Sequence, residues 1–215
     1  MRPALVIDLD GTLLQTNTFR DYLRFCGRCA VPAFRWDLAL SIALWVTLRK
    51  VRLITHSTMK RHLMQRTARF MQQKGRLDDF AEEELLRGNP HVQAVMERYR
   101  NRGYLLVLAT AAPALYAKAL ADDYRLDACL GTPLPSEVVI GEWHENVGEE
   151  KAQTLQRFLQ QHDAHMEALI TDHHDDLPLL RLNAQGTNYL AQPSEQTVAL
   201  LRKEEIEYEI IPASD

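Results

Sequence analysis

The chain has 215 residues, of which 46% are hydrophobic and 25% are charged, and its formal net charge is −4. This composition excludes intrinsic disorder, a collagen-like repeat and a polytopic membrane protein. The length predicts one domain, or one domain with a sizeable insertion. Three cysteines are too few for a disulfide framework, and the charge at position 8 excludes a signal-peptide core, so we expect a cytoplasmic protein.

Apolar runs and turn residues predict strands that alternate with helices on either side of one long helical stretch. In chain order, the predicted elements are a strand over 3–8, helices over 17–87, a helix from Pro90 to Gly103, a strand over 104–109, a helix from Pro113 to about 122, short strands and turns over 127–141, a helix from Glu149 to His162, a strand over 167–171, a helix around 176–182, a strand over 187–191, a helix from Ser194 and a last segment over 206–211. Strands alternating with helices favour a parallel sheet that is covered on both faces. We therefore predict the α/β class, with a Rossmann-like three-layer α/β/α core and an inserted all-helical unit.

The long helical stretch also differs from the rest of the chain in charge. Residues 14–77 contain 13 lysines or arginines against Asp21 and Asp37, a net charge of +11, whereas the remaining residues carry −15. A basic unit attracts anions such as phosphate esters, nucleic acid or an anionic membrane surface. A solvated basic helical face explains the same pattern equally well.

Ligands of parallel sheets bind at the carboxyl ends of the strands, and the first predicted strand ends in two carboxylates. Asp8 and Asp10 lie two residues apart on an extended segment, so their side chains point the same way. Gly11 follows them and allows the backbone to turn sharply. A solvated acidic loop is the alternative interpretation of this pair.

Further polar residues follow the other strands. Thr110 precedes a predicted helix start, where backbone N–H groups favour a phosphate, although an ordinary N-cap is an equal alternative. Lys151 lies in the first turn of a helix, where the dipole disfavours a cation unless an anion is near. Asp172 and Asp176 follow the third strand. Carboxylates gathered from two strands repel each other unless a hard cation such as Mg²⁺ neutralises them.

The order of these segments, beginning with Asp8-Leu9-Asp10-Gly11-Thr12, resembles the haloacid dehalogenase superfamily of phosphohydrolases. Segments 141–151 and 175–180 are similar to its phosphoserine-phosphatase-like branch, in which a helical cap lies between the first and second motifs. The resemblance covers the strand ends of the whole chain. It implies a phosphohydrolase core over 1–15 and 88–215 and a helical cap over 16–87.

The resemblance also implies the chemistry, a phosphomonoesterase that acts through an aspartyl-phosphate. Asp8 would be the nucleophile. Asp10 would protonate the leaving oxygen and then take a proton from the hydrolytic water. The phosphoryl oxygens would be held by Thr110, Ala111 and Lys151. Dehalogenase chemistry is disfavoured, since those relatives lack the second aspartate of the first motif.

Magnesium is the cofactor that the resemblance implies. It would be held by the carboxylates of Asp8 and Asp172 and by the backbone carbonyl of Asp10. Three further residues would support the site, namely Asp176, Gly11 and Thr12.

Some positions depart from the family pattern. Thr171 stands where glycine is usual, and His173 stands where a small residue is usual. We expect His173 and His174 to lie in an exposed loop, with a contact to substrate or to a softer metal as the alternative. Asn17 stands where phosphoserine phosphatases carry a glutamate that contacts the substrate ammonium, so phosphoserine is not the expected substrate.

The apolar stretch 38–48 of the predicted cap leaves two interpretations open. As a helix it is about 16 Å long, too short for the roughly 30 Å of bilayer hydrocarbon. It is either buried in the cap or in contact with lipid. Its basic neighbours Arg35, Arg49, Lys50 and Arg52 suit anionic head groups, and such a cap resembles that of phosphatidylglycerophosphate phosphatases. The expected ligand is thus a small-molecule or an amphiphilic phosphate ester, the latter with peripheral contact to the inner face of an anionic membrane.

Two further classes of function compete with an enzyme. One is a non-catalytic protein that binds a phosphate ligand. The other is nucleic-acid binding, which we do not expect, because the aromatic residues of the basic block lie at helical core spacing and not where bases would stack. The oligomeric state is left open by the sequence.

Overall fold

The computed structural model describes residues 1–73, 75–138 and 142–212. Lys74 of the basic block, residues 139–141 of a predicted strand-and-turn segment and residues 213–215 lie outside the described part. The strands are β1 (Arg2–Ile7), β2 (Leu105–Pro113), β3 (Ala128–Thr132), β4 (Ala164–Thr171), β5 (Thr187–Ala191) and β6 (Glu209–Ile211). The helices are α1 (Thr18–Ala30), α2 (Trp36–Lys50), α3 (His56–Met71), α4 (Arg76–Leu85), α5 (Pro90–Asn101), α6 (Ala114–Asp123), α7 (Glu149–Gln161), α8 (Leu177–Leu182) and α9 (Glu195–Lys203), with short 3₁₀ turns at Pro135–Glu137 and His174–Asp176.

All of these strands run parallel in one sheet, in the order β3-β2-β1-β4-β5-β6. The strand β1 lies in the interior of the sheet, between β2 and β4. The chain order reverses direction at β1, and ligands of such sheets bind at a reversal of this kind. The loops after β1, β2 and β4 therefore meet at one edge. The predicted parallel α/β fold is confirmed.

Helices cover the sheet on both faces, as the burial of β1 shows. Leu5 and Ile7 belong to one apolar cluster, which contains residues of α1 to α6. Ala4 and Val6 belong to another, which contains residues of α7, α8 and α9. This division follows from the two-residue period of a strand, and all four side chains are fully buried. The predicted three-layer arrangement is confirmed.

Several boundaries differ from the predicted ones. The strand β2 continues past its predicted end at 109, because Pro113 still pairs with Thr132 of β3 after a shift in register. The helix α6 consequently begins one residue later than predicted. The strand β6 covers half of the predicted segment 206–211, since three of its residues pair with β5.

The helices α1 to α4, which we call the inserted helices, lie between β1 and α5. Their aromatic side chains pack on α6. The rings of Tyr22 and Phe80 lie 5.0 and 5.2 Å from that of Tyr116, measured between centroids. The hydroxyl of Thr18 lies 3.0 Å from that of Tyr116. Because these rings are buried in the same cluster as one face of the sheet, the inserted helices share a core with it.

The helix α2 is the exception, because it buries only Leu38 and Ile42. Trp36, Leu40 and Leu44 recur every four residues, so they share one face, and their side chains are 55%, 69% and 56% exposed. The interpretation of this helix as a buried one therefore holds for one of its faces only. No helix in the described ranges combines the length and the apolar character that crossing a bilayer requires.

Candidate active site

Two carboxylates follow the inner strand β1, and both line a cavity. Asp8 comes directly after the strand. Gly11 has φ +78°, a value that residues with a side chain rarely adopt, and its N–H donates to the carbonyl of Leu14. The carboxylate of Asp10 accepts a hydrogen bond from the N–H of Thr18 at 2.8 Å. The turn after β1 thus joins the end of the sheet to the first turn of α1.

A buried lysine lies between carboxylates from two strands. The Nζ atom of Lys151, at the start of α7, is 2.7 Å from Oδ1 of Asp8 and 2.7 Å from Oδ1 of Asp176. The other oxygen of Asp176 accepts the hydroxyl of Thr171 at 2.7 Å. Charge-assisted bonds of this length are strong, and the lysine is 3% exposed. The sequence predicted an anionic partner for a lysine at this helix start, and the structure provides two, Asp8 and Asp176.

Thr110 lies near the end of β2 and is buried. Its hydroxyl oxygen accepts the N–H of Ala112 at 3.0 Å, and its carbonyl accepts the side-chain amide of Asn146 at 3.1 Å. No acceptor for its hydroxyl proton is found in the described part of the chain, so the hydroxyl can donate to a ligand in the cavity. The N-cap interpretation of Thr110 is wrong, because the strand continues past it and α6 begins at Ala114.

Asp172 follows β4 and faces the turn after β1. The hydroxyl of Thr12 donates to its Oδ1 at 3.2 Å. A Cβ atom placed on Gly11 would lie only 2.3 Å from its Oδ2. Position 11 therefore requires glycine for two reasons: the backbone conformation and the close approach of the Asp172 carboxylate.

The site holds more negative than positive charge. Burial raises the pKa of Asp8 above its usual value, although Lys151 opposes the shift, and burial also raises the pKa of Asp10 and of Asp172. Burial alone would lower the pKa of Lys151, but Asp176 and Asp8 raise it well above its usual value. The two carboxylates therefore favour the charged form of the lysine, and its single charge does not balance the carboxylates around it.

The donor set fits a hard divalent cation. The carboxylates of Asp8 and Asp172 and the backbone carbonyl of Asp10 are oxygen ligands of the kind that Mg²⁺ prefers. The absence of a side chain at Gly11 leaves room for the Asp172 carboxylate beside this turn. The excess of carboxylates over cations in the lining of the cavity gives such an ion an electrostatic reason to bind.

A cavity of about 640 Å³ opens over these groups. It is lined by all of the site residues predicted from the sequence except Thr12, which lies behind Asp172. Its other lining residues include Gln15, Thr16, Asn17, Arg20, Val147, His173, Asp175 and Gln192. Of these, sequence reasoning had singled out only Asn17 and His173. Arg20 was counted only within the basic block, because no local pattern indicates which of those arginines reaches the sheet edge.

The two histidines after β4 differ in exposure. The side chain of His173 is 48% exposed and that of His174 is 26% exposed. The ring of His173 accepts the N–H of Asp175 at 3.2 Å. The prediction of an exposed loop therefore fits His173, although this residue also lines the cavity.

The fold and the site define a class of α/β protein with a carboxylate-rich cavity at the carboxyl edge of its sheet. A sequence model of the family described as haloacid dehalogenase-like hydrolase matches residues 5–181. The chain belongs to this family. The prediction that the chain is an enzyme is thereby confirmed, because the family is one of hydrolases.

Solved structures share the fold at low sequence identity. A protein of unknown function from Bordetella pertussis Tohama I is 16% identical, with 99% of each chain covered and a TM-score of 0.75. A probable phosphoserine phosphatase from Vibrio cholerae is 16% identical, with 92% of this chain and 58% of that chain covered and a TM-score of 0.61. A predicted phosphatase from Clostridium acetobutylicum is 15% identical, covering 99% and 94%, with a TM-score of 0.57. No curated protein is significantly similar in sequence.

Proposed function

We propose that this chain is a Mg²⁺-dependent phosphomonoesterase that acts through an aspartyl-phosphate intermediate. The observation that carries the proposal is the buried ammonium of Lys151 between Asp8 and Asp176, in a cavity that Thr110 also lines. A carboxylate nucleophile thereby lies beside a cation and a hydroxyl donor that can hold phosphoryl oxygens.

In the first step, an oxygen of Asp8 bonds to phosphorus while the ester P–O bond breaks. Lys151 holds Oδ1 of Asp8, which leaves Oδ2 to attack. Asp10 gives a proton to the leaving oxygen. The N–H of Thr18 occupies Oδ1 of Asp10, so Oδ2 is the oxygen that carries this proton. The Thr110 hydroxyl and Lys151 hold the phosphoryl oxygens as charge develops on them.

In the second step, the Asp10 carboxylate takes a proton from a water molecule whose oxygen bonds to phosphorus. The bond between phosphorus and Asp8 then breaks, which releases inorganic phosphate and restores the carboxylate. Asp8, Asp172 and the Asp10 carbonyl would hold Mg²⁺, which when bound offsets the repulsion between the carboxylates and the phosphate.

The substrate in this proposal is an organic phosphate ester other than phosphoserine. Asn17 places a neutral amide on the cavity wall, and its side-chain oxygen already caps α1 by accepting the N–H of Arg20 at 2.9 Å. Arg20 adds a cation to the same wall, which favours a substrate with further negative charge. The inserted helices would act as the cap over 16–87, seated on a core formed by 1–15 and 88–215.

The test is phosphate release from an aryl phosphate at neutral pH with Mg²⁺. Asp8→Asn is expected to lower kcat by at least about 10³-fold, because the amide cannot form the covalent intermediate. Mass spectrometry of acid-quenched wild-type enzyme should find a phosphoryl group on Asp8. The matched control is Asp175→Asn, which changes a 59% exposed carboxylate on the same wall and should keep wild-type turnover.

The same variants distinguish the non-catalytic alternative. A protein that only binds a phosphate ligand would show no turnover as wild type, and its binding of inorganic phosphate would survive Asp10→Asn. Turnover by wild type that Asp10→Asn removes would exclude this alternative. Equal turnover by wild type and Asp8→Asn would contradict the proposed mechanism.

A second candidate, a lipid phosphate phosphatase at a membrane surface, is favoured by the exposed face of α2. Trp36, Leu40 and Leu44 on that face are largely exposed, as is Phe34 (82%) just before it. The residues 49–52 at its other end include three cations for which the described residues provide no ion-pair partner. Apolar side chains flanked by cations suit insertion into an anionic interface. Peripheral contact with the inner face of a membrane, and a cytoplasmic location, stay predictions.

Vesicle binding tests this candidate. Wild type is expected to sediment with vesicles of phosphatidylcholine and phosphatidylglycerol and less with phosphatidylcholine alone. Leu40→Ser combined with Leu44→Ser should remove most of this binding, whereas Leu86→Ser, at an 88% exposed leucine after α4, should retain it. Absence of wild-type binding, or equal loss in the control, would rule the candidate out. A preference for a micellar lipid phosphate over the aryl phosphate would identify the substrate class.

A further inference from the structure

Lys60 is a buried cation that the mechanism above does not use. It lies in α3, one of the inserted helices, and is 3% exposed. Its Nζ atom donates to the carbonyl of Ala111 at 2.7 Å and lies 2.7 Å from Oε1 of Glu145, whose side chain is 14% exposed. Ala111 belongs to β2, and Glu145 lies in the loop before α7. One ammonium group therefore ties an inserted helix to two separate segments beside the sheet.

Burying this ammonium group costs free energy unless its hydrogen-bond partners are well placed. A buried lysine loses its hydration, and the loss is offset only by good pairing and further hydrogen bonds. Lys60 has both, and the ring of Phe19 lies 5.5 Å from its Nζ atom. An apolar side chain of the same size could be buried here without the loss of hydration that a charged group suffers. The lysine instead defines a fixed distance between the inserted helix and the two segments.

Both partners of Lys60 are connected by hydrogen bonds to the part of the cavity wall that contains Thr110. The carbonyl of Ala111, the residue after Thr110, also accepts the hydroxyl of Thr132 at 2.6 Å. Asn146, the residue after Glu145, donates its backbone N–H to the Thr132 hydroxyl at 3.1 Å. Its side-chain amide donates to the carbonyl of Thr110 at 3.1 Å. These bonds form one network around the strand end that carries Thr110.

The loop that contains Glu145 also leads into the helix that carries Lys151. The helix α7 begins at Glu149, so its first turn contains Lys151. We propose that Lys60 is a positioning residue, which sets Thr110 and Lys151 through this network, so that the phosphate site is complete only when the inserted helices are seated on the sheet. This inference rests on the proposed phosphatase function for its kinetic readout, and the binding of inorganic phosphate provides a second readout.

Three variants separate positioning from simple support of the fold. Lys60→Met removes the ammonium, keeps the chain length and leaves the Glu145 carboxylate buried without its partner. Lys60→Met combined with Glu145→Gln removes both charges, so neither is left unpaired. The matched control is Arg66→Met on the same helix. Arg66 pairs at 3.3 Å with Asp37, which belongs to the inserted helices, and its side chain is 49% exposed.

We expect both Lys60 variants to lower kcat for the aryl phosphate roughly 10- to 100-fold, the effect of misplacing groups that act in the transition state. The dissociation constant of inorganic phosphate with Mg²⁺, measured by calorimetry, should rise about tenfold for the same reason. The double variant should recover the melting temperature of wild type while kcat stays low. Arg66→Met should keep wild-type kcat and phosphate affinity.

A double variant that recovers both the melting temperature and kcat would overturn the inference, because the pair would then be structural only. If the Lys60 variants do not fold, Glu145→Met decides, because it removes both oxygens that could accept from Lys60 at a similar size: lower kcat and phosphate affinity support the inference, and wild-type values overturn it. A wild type that binds phosphate without turnover would refute the proposed function, and the phosphate affinities would then decide the role of Lys60. A wild type that binds no phosphate would overturn both.

Discussion

A single buried hydroxyl, that of Thr171, supports the charged centre of the site, and its removal is predicted to have two effects. Thr171 is the last residue of β4 and is fully buried. It donates to Oδ2 of Asp176 at 2.7 Å, while Lys151 binds Oδ1 at 2.7 Å. Thr171→Val keeps the shape of the side chain but leaves Oδ2 with Lys151 alone, at 3.0 Å. The variant should therefore be less stable and should hold Lys151 less firmly.

The size of both effects follows from the charge of the acceptor. A hydrogen bond to a charged group contributes about 1.5 to 3 kcal/mol to stability. For a chain of this length, each kcal/mol lowers the melting temperature by about 2 to 4 °C, so the Thr171→Val variant should melt roughly 3 to 12 °C below wild type. If about 1 kcal/mol of the same loss is expressed in the transition state, kcat falls about fivefold.

Thermal unfolding followed by circular dichroism, together with aryl phosphate turnover, measures both quantities. The matched control is Thr197→Val in α9. Thr197 is also fully buried, but its hydroxyl pairs with the neutral hydroxyl of Ser194 at 3.0 Å, so the expected loss is about 1 kcal/mol or less and kcat should not change. A melting temperature for Thr171→Val no lower than that of the control, with unchanged kcat, would refute the reasoning.

Three other predictions concern the turn after β1, the aromatic cluster and the thiols. Gly11→Ala brings a Cβ atom to 2.3 Å from Asp172, so turnover should need more Mg²⁺, which a magnesium titration measures; an unchanged titration would contradict it. Phe80→Ala removes a ring that is 1% exposed and should cost about 3 to 5 kcal/mol in urea unfolding, and a loss below about 1 kcal/mol would show that the cluster is not required. Burial raises the pKa of Cys26 and of Cys129 to about 12, from the ordinary 9.0. The folded chain therefore holds these protons more tightly than the unfolded chain, and the free energy of unfolding should fall as pH rises from 9 toward 12. A free energy of unfolding that stays constant over this range would contradict it.

Local sequence patterns were sufficient to predict the fold, and they indicated which polar residues follow its strands. The runs at 3–8, 104–109 and 167–171 are apolar enough to predict strands that are buried on both faces, and each overlaps an observed strand. Asp8 and Asp10 were expected at this edge because they follow the first strand. The strand ends at Ile7 and Leu9 lies in a turn, so the predicted extended spacing of the two aspartates is not observed. An anionic partner was predicted for Lys151, because the start of a helix disfavours a cation without one. Asp8 and Asp176 are the partners observed.

Other features depended on contacts between segments that are far apart in sequence. Lys60 and Glu145 are separated in the sequence by the elements from α4 to β3, and only the seating of α3 on the sheet brings their charged groups to a distance of 2.7 Å. The apolar stretch of α2 has no periodicity that distinguishes its faces, so its exposed side became evident only from what the other inserted helices leave uncovered. The hydrophobic period of a strand or a helix extends over a few neighbouring residues, so it can be recognised from the sequence alone. The meeting of two loops, or the uncovered face of a helix, depends on how whole elements pack, and packing is a property of the complete tertiary structure.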